Sequence, residues 1–177
     1  MANTITNKIF LVGPMGAGKS AVGRRLASDI GFEFADADDW VEARTGVDIA
    51  YIFEREGEVG FRKRETHALD TLSQQDKIVL ATGGGAVGQA ENRNILTARG
   101  FVVYLFASVA QQYQRVRYGH DRPMLHTDDP RARLKALFEQ REPWYEQVAD
   151  LKVTTDGRRV AEVARAIVAL LPEASTP

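Results

Sequence analysis

The chain has 177 residues, of which 44% are hydrophobic and 27% charged, and its formal net charge at pH 7 is −1. This is typical of one globular domain, and the charge gives no support to general nucleic-acid binding. With no cysteine, the chain has no disulfide, catalytic thiol or cysteine-ligated metal. No apolar run approaches the roughly 20 residues of a membrane span. The N-terminus lacks a signal-peptide pattern, so we expect a cytoplasmic location.

A short apolar strand and a glycine-rich loop open the chain. Residues 9–12 are Ile-Phe-Leu-Val, and residues 13–20 read Gly-Pro-Met-Gly-Ala-Gly-Lys-Ser. The second segment, here called the phosphate loop, fits G-x-x-x-x-G-K-[ST] between a strand and a helix. Its glycines allow close backbone approach, and N–H groups at a helix N-terminus favour phosphate oxygens. We expect Lys19 to reach the β- and γ-phosphates and Ser20 to join a Mg²⁺ shell. The alternative is a plain glycine turn.

Strand-like and helical segments alternate along the rest of the chain. The first helix carries apolar residues at a spacing of four and ends at Gly31, and the last ends at Pro172. Short apolar runs, typical of strands covered on both faces, occupy residues 9–12, 32–35, 78–81, 101–106 and 151–154. This alternation predicts an α/β fold with a parallel sheet, helices on both faces, and ligands at the carboxyl ends of the strands.

Two long segments interrupt the alternation. Residues 37–77 hold helices between the second and third strands, and we expect them to build a substrate pocket. Residues 118–130 contain glycine, two prolines and no periodicity, which favours a mobile lid. In that lid, Arg122 is suited to neutralising a transferring phosphoryl group, and the alternative is a surface arginine. We assign residues 1–177 to a single domain.

Candidate carboxylates follow the second strand. The third strand ends in Thr82 and three glycines without an acid, whereas Asp36 and Asp38 follow the second. If the extended backbone continued through them, the two carboxylates would share a face. One would then hold Mg²⁺ through water while the other met an acceptor hydroxyl. The alternative for Asp38 or Asp39 is to cap the helix that begins at Trp40.

Three consecutive glycines and two arginines complete the candidate site. A plain turn needs one or two glycines, so three in a row at residues 83–85 indicate a backbone that a ligand approaches closely. The alternative is that these glycines only form a turn. Arg62 is three residues before Glu65, so the two can form an i, i+3 pair on a helix. The alternative to a functional role for Arg62 is a weak ion pair on a solvated helix face. Arg141 precedes Pro143, and the proline predicts a helix end or kink. The alternative to a functional role for Arg141 is that of a cation near the last carbonyls of that helix.

Together these residues resemble the shikimate kinase family over nearly the whole chain. The matching pieces, in the family's order, are residues 13–20, Asp36-x-Asp38, Arg44-Thr45-Gly46, Ile52-Phe53 through Gly57-Glu58, Phe61-Arg62, Gly83-Gly84-Gly85, Arg122-Pro123-Met124-Leu125 and Arg141-x-Pro143-x-Tyr145. This set is far more specific than the phosphate loop alone. Ala21 departs from the threonine that many members carry, which affects only a secondary hydroxyl contact.

The resemblance implies a three-layer P-loop kinase fold with a five-stranded parallel sheet, inserted substrate-binding helices and a mobile lid. It also implies ATP-dependent phosphorylation of the shikimate 3-hydroxyl, a step of chorismate and aromatic amino-acid biosynthesis. We expect a monomer without nucleic-acid or membrane partners.

The resemblance also implies a role for each matching residue. The ATP contacts would be Gly16, Ala17, Gly18, Lys19, Ser20, Ala21 and Arg122, with Arg115 and Arg158 near the adenine. Mg²⁺ would bind Ser20 directly and Asp36 through water. The shikimate contacts would be Asp38, Arg62, Gly83, Gly84, Gly85 and Arg141. Lys19, Asp38 and Arg122 would take part in catalysis.

The chemistry of shikimate agrees with these residues. Its single carboxylate suits the bidentate guanidinium groups of Arg62 and Arg141, and its hydroxyls suit Asp38 and the Gly84 backbone. One alternative is another small-molecule kinase of this fold, acting on gluconate or a nucleotide. A second alternative is a nucleotide-binding switch without acceptor chemistry.

Overall fold

A parallel sheet lies at the centre of the fold. The computed structural model describes residues 6–118 and 125–172. Its strands are β1 (Lys8–Val12), β2 (Glu33–Asp36), β3 (Ile78–Ala81), β4 (Phe101–Phe106) and β5 (Leu151–Thr154). Their order is β2-β3-β1-β4-β5, and every neighbouring pair is parallel. The predicted five-stranded parallel sheet is confirmed, although β1 begins one residue earlier than expected and β2 lies one residue later.

Helices connect the strands and cover both faces of the sheet. Those in the described ranges are α1 (Lys19–Ile30), α2 (Ala37–Thr45), α3 (Ile49–Leu72), α4 (Ala90–Arg99), α5 (Val109–Val116), α6 (Pro130–Val148) and α7 (Val160–Leu170). A 3-10 turn, Ala86–Gly88, precedes α4. None of these helices is long and apolar enough to cross a membrane.

Two apolar clusters, one on each face of the sheet, form the core. Since successive strand residues point to opposite faces, Ile9 and Leu11 join the cluster beneath α1 and α7. Phe10 and Val12 join the other cluster, beneath α2, α3, α4 and α6. Both faces of β1 are therefore buried, which explains its continuous apolar sequence. The three-layer α/β architecture predicted from the sequence is confirmed.

Two helix ends follow the glycine and proline signals in the sequence. Gly31 adopts the left-handed conformation with φ 72°, and its N–H bonds the Ala27 carbonyl at the end of α1. The last helix, α7, ends with Leu171 as its cap, directly before Pro172. Both predicted ends are confirmed.

Of the two outcomes predicted at Pro143, a helix end or a kink, the helix end is not found. Helix α6 continues through this proline to Val148. Proline removes one N–H donor and leaves the carbonyl four residues earlier without its helical partner. Pro143 is exposed, so that side of the helix faces water, which can hydrate the freed carbonyl.

The segment between β2 and β3 consists of α2 and a kinked α3. At Gly57, φ is 68° and ψ is −176°, which interrupts the helical backbone. Glu56 and Arg64 lie on opposite sides of this kink and form a bidentate ion pair, with N···O distances of 2.7 and 2.9 Å. Both side chains are exposed, so the pair is screened by solvent. The second part of α3 packs Phe61, Ala68, Leu69 and Leu72 into the core on one face of the sheet.

Candidate active site

The phosphate loop connects β1 to α1 and requires glycine for steric reasons. Gly13 and Gly16 have φ values of 146° and 79°, a range that other residues rarely adopt. A Cβ on Gly13 would lie 2.4 Å from the Leu105 carbonyl oxygen, and one on Gly16 would lie 3.0 Å from that of Gln112. The loop is therefore packed against β4 and α5, with its N–H groups at the beginning of α1.

Lys19 lies across this loop. Its side chain is buried, and its ammonium group donates to the carbonyl oxygens of Gly13 and Pro14, each at 2.8 Å. Because both acceptors belong to the loop, the positive charge is held at the place where the sequence predicts nucleotide phosphates.

A cavity of about 240 Å³ opens beside the loop at the carboxyl ends of the strands. It is lined by Met15, Gly16, Gly18, Lys19, Ser20, Ala21, Asp36, Asp38, Thr82, Gly83, Gly84 and Arg115. The fold thus brings together the predicted phosphate site, both predicted aspartates and two of the three glycines. This is the strand edge at which a parallel sheet places its ligands.

Asp36 is the last residue of β2 and the N-cap of α2. Its Oδ1 accepts hydrogen bonds from the N–H groups of Asp38 (2.9 Å) and Asp39 (3.4 Å). Its Oδ2 accepts a 2.5 Å hydrogen bond from the Ser20 hydroxyl. The proposed capping role of Asp38 or Asp39 is therefore wrong, because the helix begins three residues before Trp40 and Asp36 caps it.

Asp38 reaches the cavity from the first turn of α2. The extended backbone ends at Asp36, so the prediction that the two aspartates share a strand face is wrong. They meet at one site because the helix turns Asp38 back towards Gly83. A Cβ on Gly83 would lie 3.3 Å from Asp38 Oδ1. Asp38 is thus held beside the glycine segment rather than beside Ser20.

Each of the three consecutive glycines has a different neighbour. A Cβ on Gly83 would lie 2.6 Å from Glu65 Oε2, and one on Gly84 would lie 3.2 Å from the Met15 nitrogen. A Cβ on Gly85 would lie 2.3 Å from Arg62 Nη2. Side chains at these positions would displace a carboxylate, the phosphate loop or a guanidinium group. The three glycines therefore pack closely against the groups of the site, beyond the needs of a turn.

Arg62 belongs to a partly buried ion-pair network rather than to a solvated helix face. Its Nη1 lies 2.8 Å from Glu65 Oε1, and its Nη2 lies 3.2 Å from Glu58 Oε1. The Glu65 side chain is only 1% exposed. Burial acts to lower the pKa of Arg62, but the two carboxylates outweigh this effect and raise it. Arg62 is therefore a fixed cation at the edge of the site.

Arg141 is also buried, so the alternative of a cation at a helix end is wrong. It lies within α6, and burial lowers the pKa of its guanidinium group, while Tyr145 and Arg62 exert smaller, opposed effects. Arg141 is also close enough to Glu65 to influence its carboxylate. The structure thus places the two predicted carboxylate-binding arginines around one glutamate.

Sequence reasoning missed Glu65 and Tyr145 as contributors to this site. Glu65 was considered only as a helical ion-pair partner, and Tyr145 only as part of a motif. Burial reveals both, since Glu65 is 1% and Tyr145 0% exposed. The Tyr145 hydroxyl donates a 2.5 Å hydrogen bond to the Gly84 carbonyl oxygen. Helical spacing to Arg62 and Arg141 was the available signal, but no local pattern shows that Glu65 and Tyr145 are buried or that Tyr145 reaches Gly84.

Of the remaining predicted nucleotide contacts, Arg115 lies against the phosphate loop, and Arg158 lies at the end of β5. Arg115 donates to the Gly16 carbonyl oxygen at 2.8 Å and to the hydroxyl and carbonyl oxygens of Thr155. Arg158 donates to the Thr154 carbonyl oxygen at 3.2 Å and is exposed. The predicted lid residue Arg122 lies outside the described residues.

Ser20 and Asp36 fit the predicted magnesium position. Their hydroxyl and carboxylate oxygens are hard ligands, and they lie 2.5 Å apart beside the phosphate loop. In residues 6–118 and 125–172, no group of three or more histidine, aspartate or glutamate side chains could hold a metal ion. Magnesium in kinases is bound through one or two carboxylates together with substrate phosphates, which agrees with this sparse ligand set.

The fold and the cavity define a P-loop kinase that acts on a small molecule. Residues 15–172 match the family model described as shikimate kinase. The chain belongs to the shikimate kinase family. As a member it is an enzyme, a phosphotransferase that uses ATP to phosphorylate shikimate.

Known relatives agree over nearly the full length. The shikimate kinase of Halorhodospira halophila is 55% identical over 165 residues, which cover 93% of each chain. A solved shikimate kinase from Acinetobacter baumannii, in complex with shikimate, is 47% identical. Its TM-score is 0.92, and the match covers 94% of this chain and 93% of that one.

A gluconokinase from Sinorhizobium meliloti shares the fold alone. It is 17% identical, with a TM-score of 0.54 over 93% of this chain and 91% of its own. The architecture is thus common to kinases with different acceptors, and the acceptor is decided by side chains at the site.

Proposed function

We propose that the chain transfers the γ-phosphoryl group of ATP to the 3-hydroxyl of shikimate, giving shikimate 3-phosphate and ADP. The observation that supports this most is the cavity that is lined by the phosphate loop, Asp38, Gly83 and Gly84. Arg62 lies against the next glycine, Gly85, and is not among the residues that line this cavity. The proposed donor subsite and the proposed base therefore line one cavity, and the glycine segment connects it to Arg62.

The donor subsite is the phosphate loop. Its N–H groups and the start of α1 are suited to the phosphates of ATP. Lys19 exchanges loop carbonyls for β- and γ-phosphate oxygens and offsets charge as the phosphoryl group transfers. Arg115 orders the loop through Gly16, and we place Arg158 with it near the adenine. We assign Arg122 to the lid that closes over the γ-phosphate.

The acceptor subsite lies on the other side of Asp38. Arg62 and Arg141 provide guanidinium groups for the shikimate carboxylate, and bidentate pairing fixes its orientation. The backbone at Gly84 and the Asp38 carboxylate receive the hydroxyls. Glu65 holds Arg62 through a buried 2.8 Å contact, which restricts the guanidinium group before the substrate arrives.

Asp38 acts on the attacking hydroxyl. It orients the 3-hydroxyl and accepts its proton as the oxygen bonds to the γ-phosphorus and the bond to ADP breaks. Its place in the first turn of α2, fixed by the cap at Asp36, makes its position independent of the acceptor. Lid closure would exclude water, which is a competing nucleophile.

Ser20 and Asp36 would hold Mg²⁺, Ser20 directly and Asp36 through water. When bound, this ion neutralises charge on the ATP phosphates. We further propose that residues 1–177 form a single domain, that the protein is monomeric, and that it works in the cytoplasm without nucleic-acid or membrane partners. The net charge of −1 supports the absence of a polyanion partner.

A panel of acceptors tests the proposed reaction. ADP release would be measured with shikimate, gluconate, a nucleoside monophosphate and water as acceptors. We expect turnover with shikimate alone to rise clearly above the rate with water. Turnover with gluconate but not with shikimate would overturn the acceptor assignment, and equal slow hydrolysis with every acceptor would favour a nucleotide switch.

The variant Asp38→Asn tests the proton-accepting role. The amide keeps the shape of the carboxylate but cannot take the proton, so we expect kcat to fall about 100-fold or more while ATP binding is kept. ATP affinity would be measured by calorimetry and kcat by coupled ADP release. Wild-type kcat in this variant would refute the role.

A further inference from the structure

A fully buried tyrosine hydroxyl connects two parts of the proposed acceptor subsite. Tyr145 is 0% exposed and donates a 2.5 Å hydrogen bond to the Gly84 carbonyl oxygen. Arg141 lies one turn earlier on α6, and its buried side chain lines the same small cavity as that of Tyr145. We propose that Tyr145 is a positioning residue, which holds Arg141 and the Gly84 backbone in one fixed arrangement so that both meet the same shikimate molecule. This inference rests on the proposed function, since it takes both groups as shikimate contacts.

The position of Tyr145 on α6 makes this connection possible. Arg141 and Tyr145 are four residues apart, so they lie on the same side of the helix. Gly84 belongs to the loop after β3, 61 residues away in sequence. It also lies against the phosphate loop, since a Cβ there would be 3.2 Å from the Met15 nitrogen. One hydroxyl thus connects α6 to the segment that borders both substrates.

The hydrogen-bonding capacity of a phenol suits this arrangement. Tyr145 has one O–H, which it donates to Gly84, and its lone pairs can accept from the guanidinium group of Arg141, one helical turn away. Burial raises the pKa of the Tyr145 phenol, so the hydroxyl keeps its proton at neutral pH. Because a peptide unit is planar, fixing the Gly84 carbonyl also fixes the direction of the Gly85 N–H. The Gly85 N–H and the Arg141 guanidinium group are therefore oriented together.

A neighbouring tyrosine provides a matched control. Tyr104 on β4 is also 0% exposed, and its ring is stacked on that of Tyr145 with centroids 5.1 Å apart. Within the described part of the chain, its hydroxyl has no hydrogen-bond partner. Tyr104→Phe and Tyr145→Phe therefore delete the same atom from the same layer of the core, and only the second deletion affects the acceptor subsite.

The experiment measures KM for both substrates and the melting temperature of each variant. We expect Tyr145→Phe to raise the shikimate KM about tenfold, because the Gly84 carbonyl is left unpaired and Arg141 loses a neighbouring polar group. The ATP KM should stay within about twofold of wild type. Tyr104→Phe should leave both KM values unchanged. A general loosening of the core would then not explain a rise in the shikimate KM without a rise in the ATP KM.

The variant Arg141→Ala separates this inference from the proposed function. If Arg141→Ala raises the shikimate KM strongly while Tyr145→Phe behaves like Tyr104→Phe, the positioning role is refuted and the proposed function stands. If Arg141→Ala itself leaves the shikimate KM unchanged, the assignment of Arg141 fails, and this inference fails with it.

The double variant Tyr145→Phe/Arg141→Ala provides a second test. Since Tyr145 acts partly through Arg141, the two effects on the shikimate KM should combine to less than their product. Effects that multiply fully would show that the two residues act independently, which would overturn the proposed connection.

Discussion

At the scale of single residues, the site is defined by contacts so close that one added carbon atom would displace a neighbouring group. The guanidinium group of Arg62 lies where a Cβ of Gly85 would be, with Nη2 at 2.3 Å and Cζ at 2.8 Å. Gly85 has φ −96° and ψ 0°, a backbone that alanine can adopt. The requirement for glycine at this position is therefore one of space, and the group that needs the space is a proposed substrate contact.

The variant Gly85→Ala should thus weaken binding of the acceptor without weakening binding of ATP. The added methyl group displaces Arg62, and we expect the shikimate KM to rise about tenfold or more with little change in the ATP KM. The control is Gly88→Ala, whose Cβ would meet its nearest neighbour, Trp144 Cζ3, at an ordinary 3.7 Å. Steady-state kinetics with each substrate varied would check this. Similar KM values for the two variants would contradict the steric explanation.

At the scale of secondary-structure elements, Asp36 joins a strand, a helix and the phosphate loop. It ends β2, caps α2 with Oδ1 and accepts the Ser20 hydroxyl with Oδ2. The cap determines where α2 begins, and that beginning places Asp38 in the cavity. One carboxylate therefore supports the proposed metal position and the proposed base together.

Two substitutions of Asp36 separate these contributions. Asparagine is also a good N-cap, so Asp36→Asn should keep the melting temperature near that of wild type, whereas Asp36→Ala should lose about 1 kcal/mol. For a chain of this size, that loss lowers the melting temperature by about 2–4 °C. Both variants should need more Mg²⁺ for half-maximal activity, because both lose the negative charge of the Asp36 carboxylate.

Thermal melts without nucleotide or metal, together with a Mg²⁺ titration of activity, would check these outcomes. If Asp36→Asn melted as low as Asp36→Ala, the capping role would be contradicted. If the Mg²⁺ requirement were unchanged in both variants, the proposed metal role would be contradicted instead.

At the scale of the whole molecule, a carboxylate buried at the site affects the stability of the fold. Glu65 is 1% exposed, and its Oε2 has no hydrogen-bond partner among the described residues. Burial raises the pKa of Glu65 above its ordinary value of 4.5, against the opposing effects of Arg62 and Arg141. The folded protein therefore binds this proton more tightly than the unfolded chain does.

The sign of the resulting pH dependence follows from that difference. As pH rises from 4.5 through the higher pKa of the folded state, Glu65 lowers the free energy of unfolding, and above that range its effect is constant. Glu65→Gln removes this dependence. We therefore expect the melting temperature of the variant, relative to wild type, to increase as pH is raised from about 4.5 towards neutrality.

Thermal melts across this pH range would check the expectation. Glu58→Gln, which removes the exposed partner of Arg62, controls for lost ion pairing. A relative melting temperature of Glu65→Gln that decreases with pH would mean that Arg62 outweighs burial and lowers the pKa of Glu65.

Local patterns in the sequence predicted the elements that local physics controls. The phosphate loop, the strands and the end of α1 at Gly31 follow from glycine conformation and hydrophobic periodicity, which act over a few residues. The helix does not end at Pro143 because a proline on the exposed side of a helix can be tolerated when water hydrates the freed carbonyl. The prediction for Asp36 and Asp38 failed because the strand ends at Asp36, two residues before Asp38, and a helix begins there.

The sequence by itself determined the phosphate-loop motif and the parallel α/β class, and it predicted most of the residues that line the cavity. Only the tertiary structure decided how these residues act together. The burial of Glu65 and the hydrogen bond from Tyr145 to Gly84 depend on chain segments that are distant in sequence. The physical reason is that burial and hydrogen-bond partnership are set by packing between layers, which no local pattern encodes.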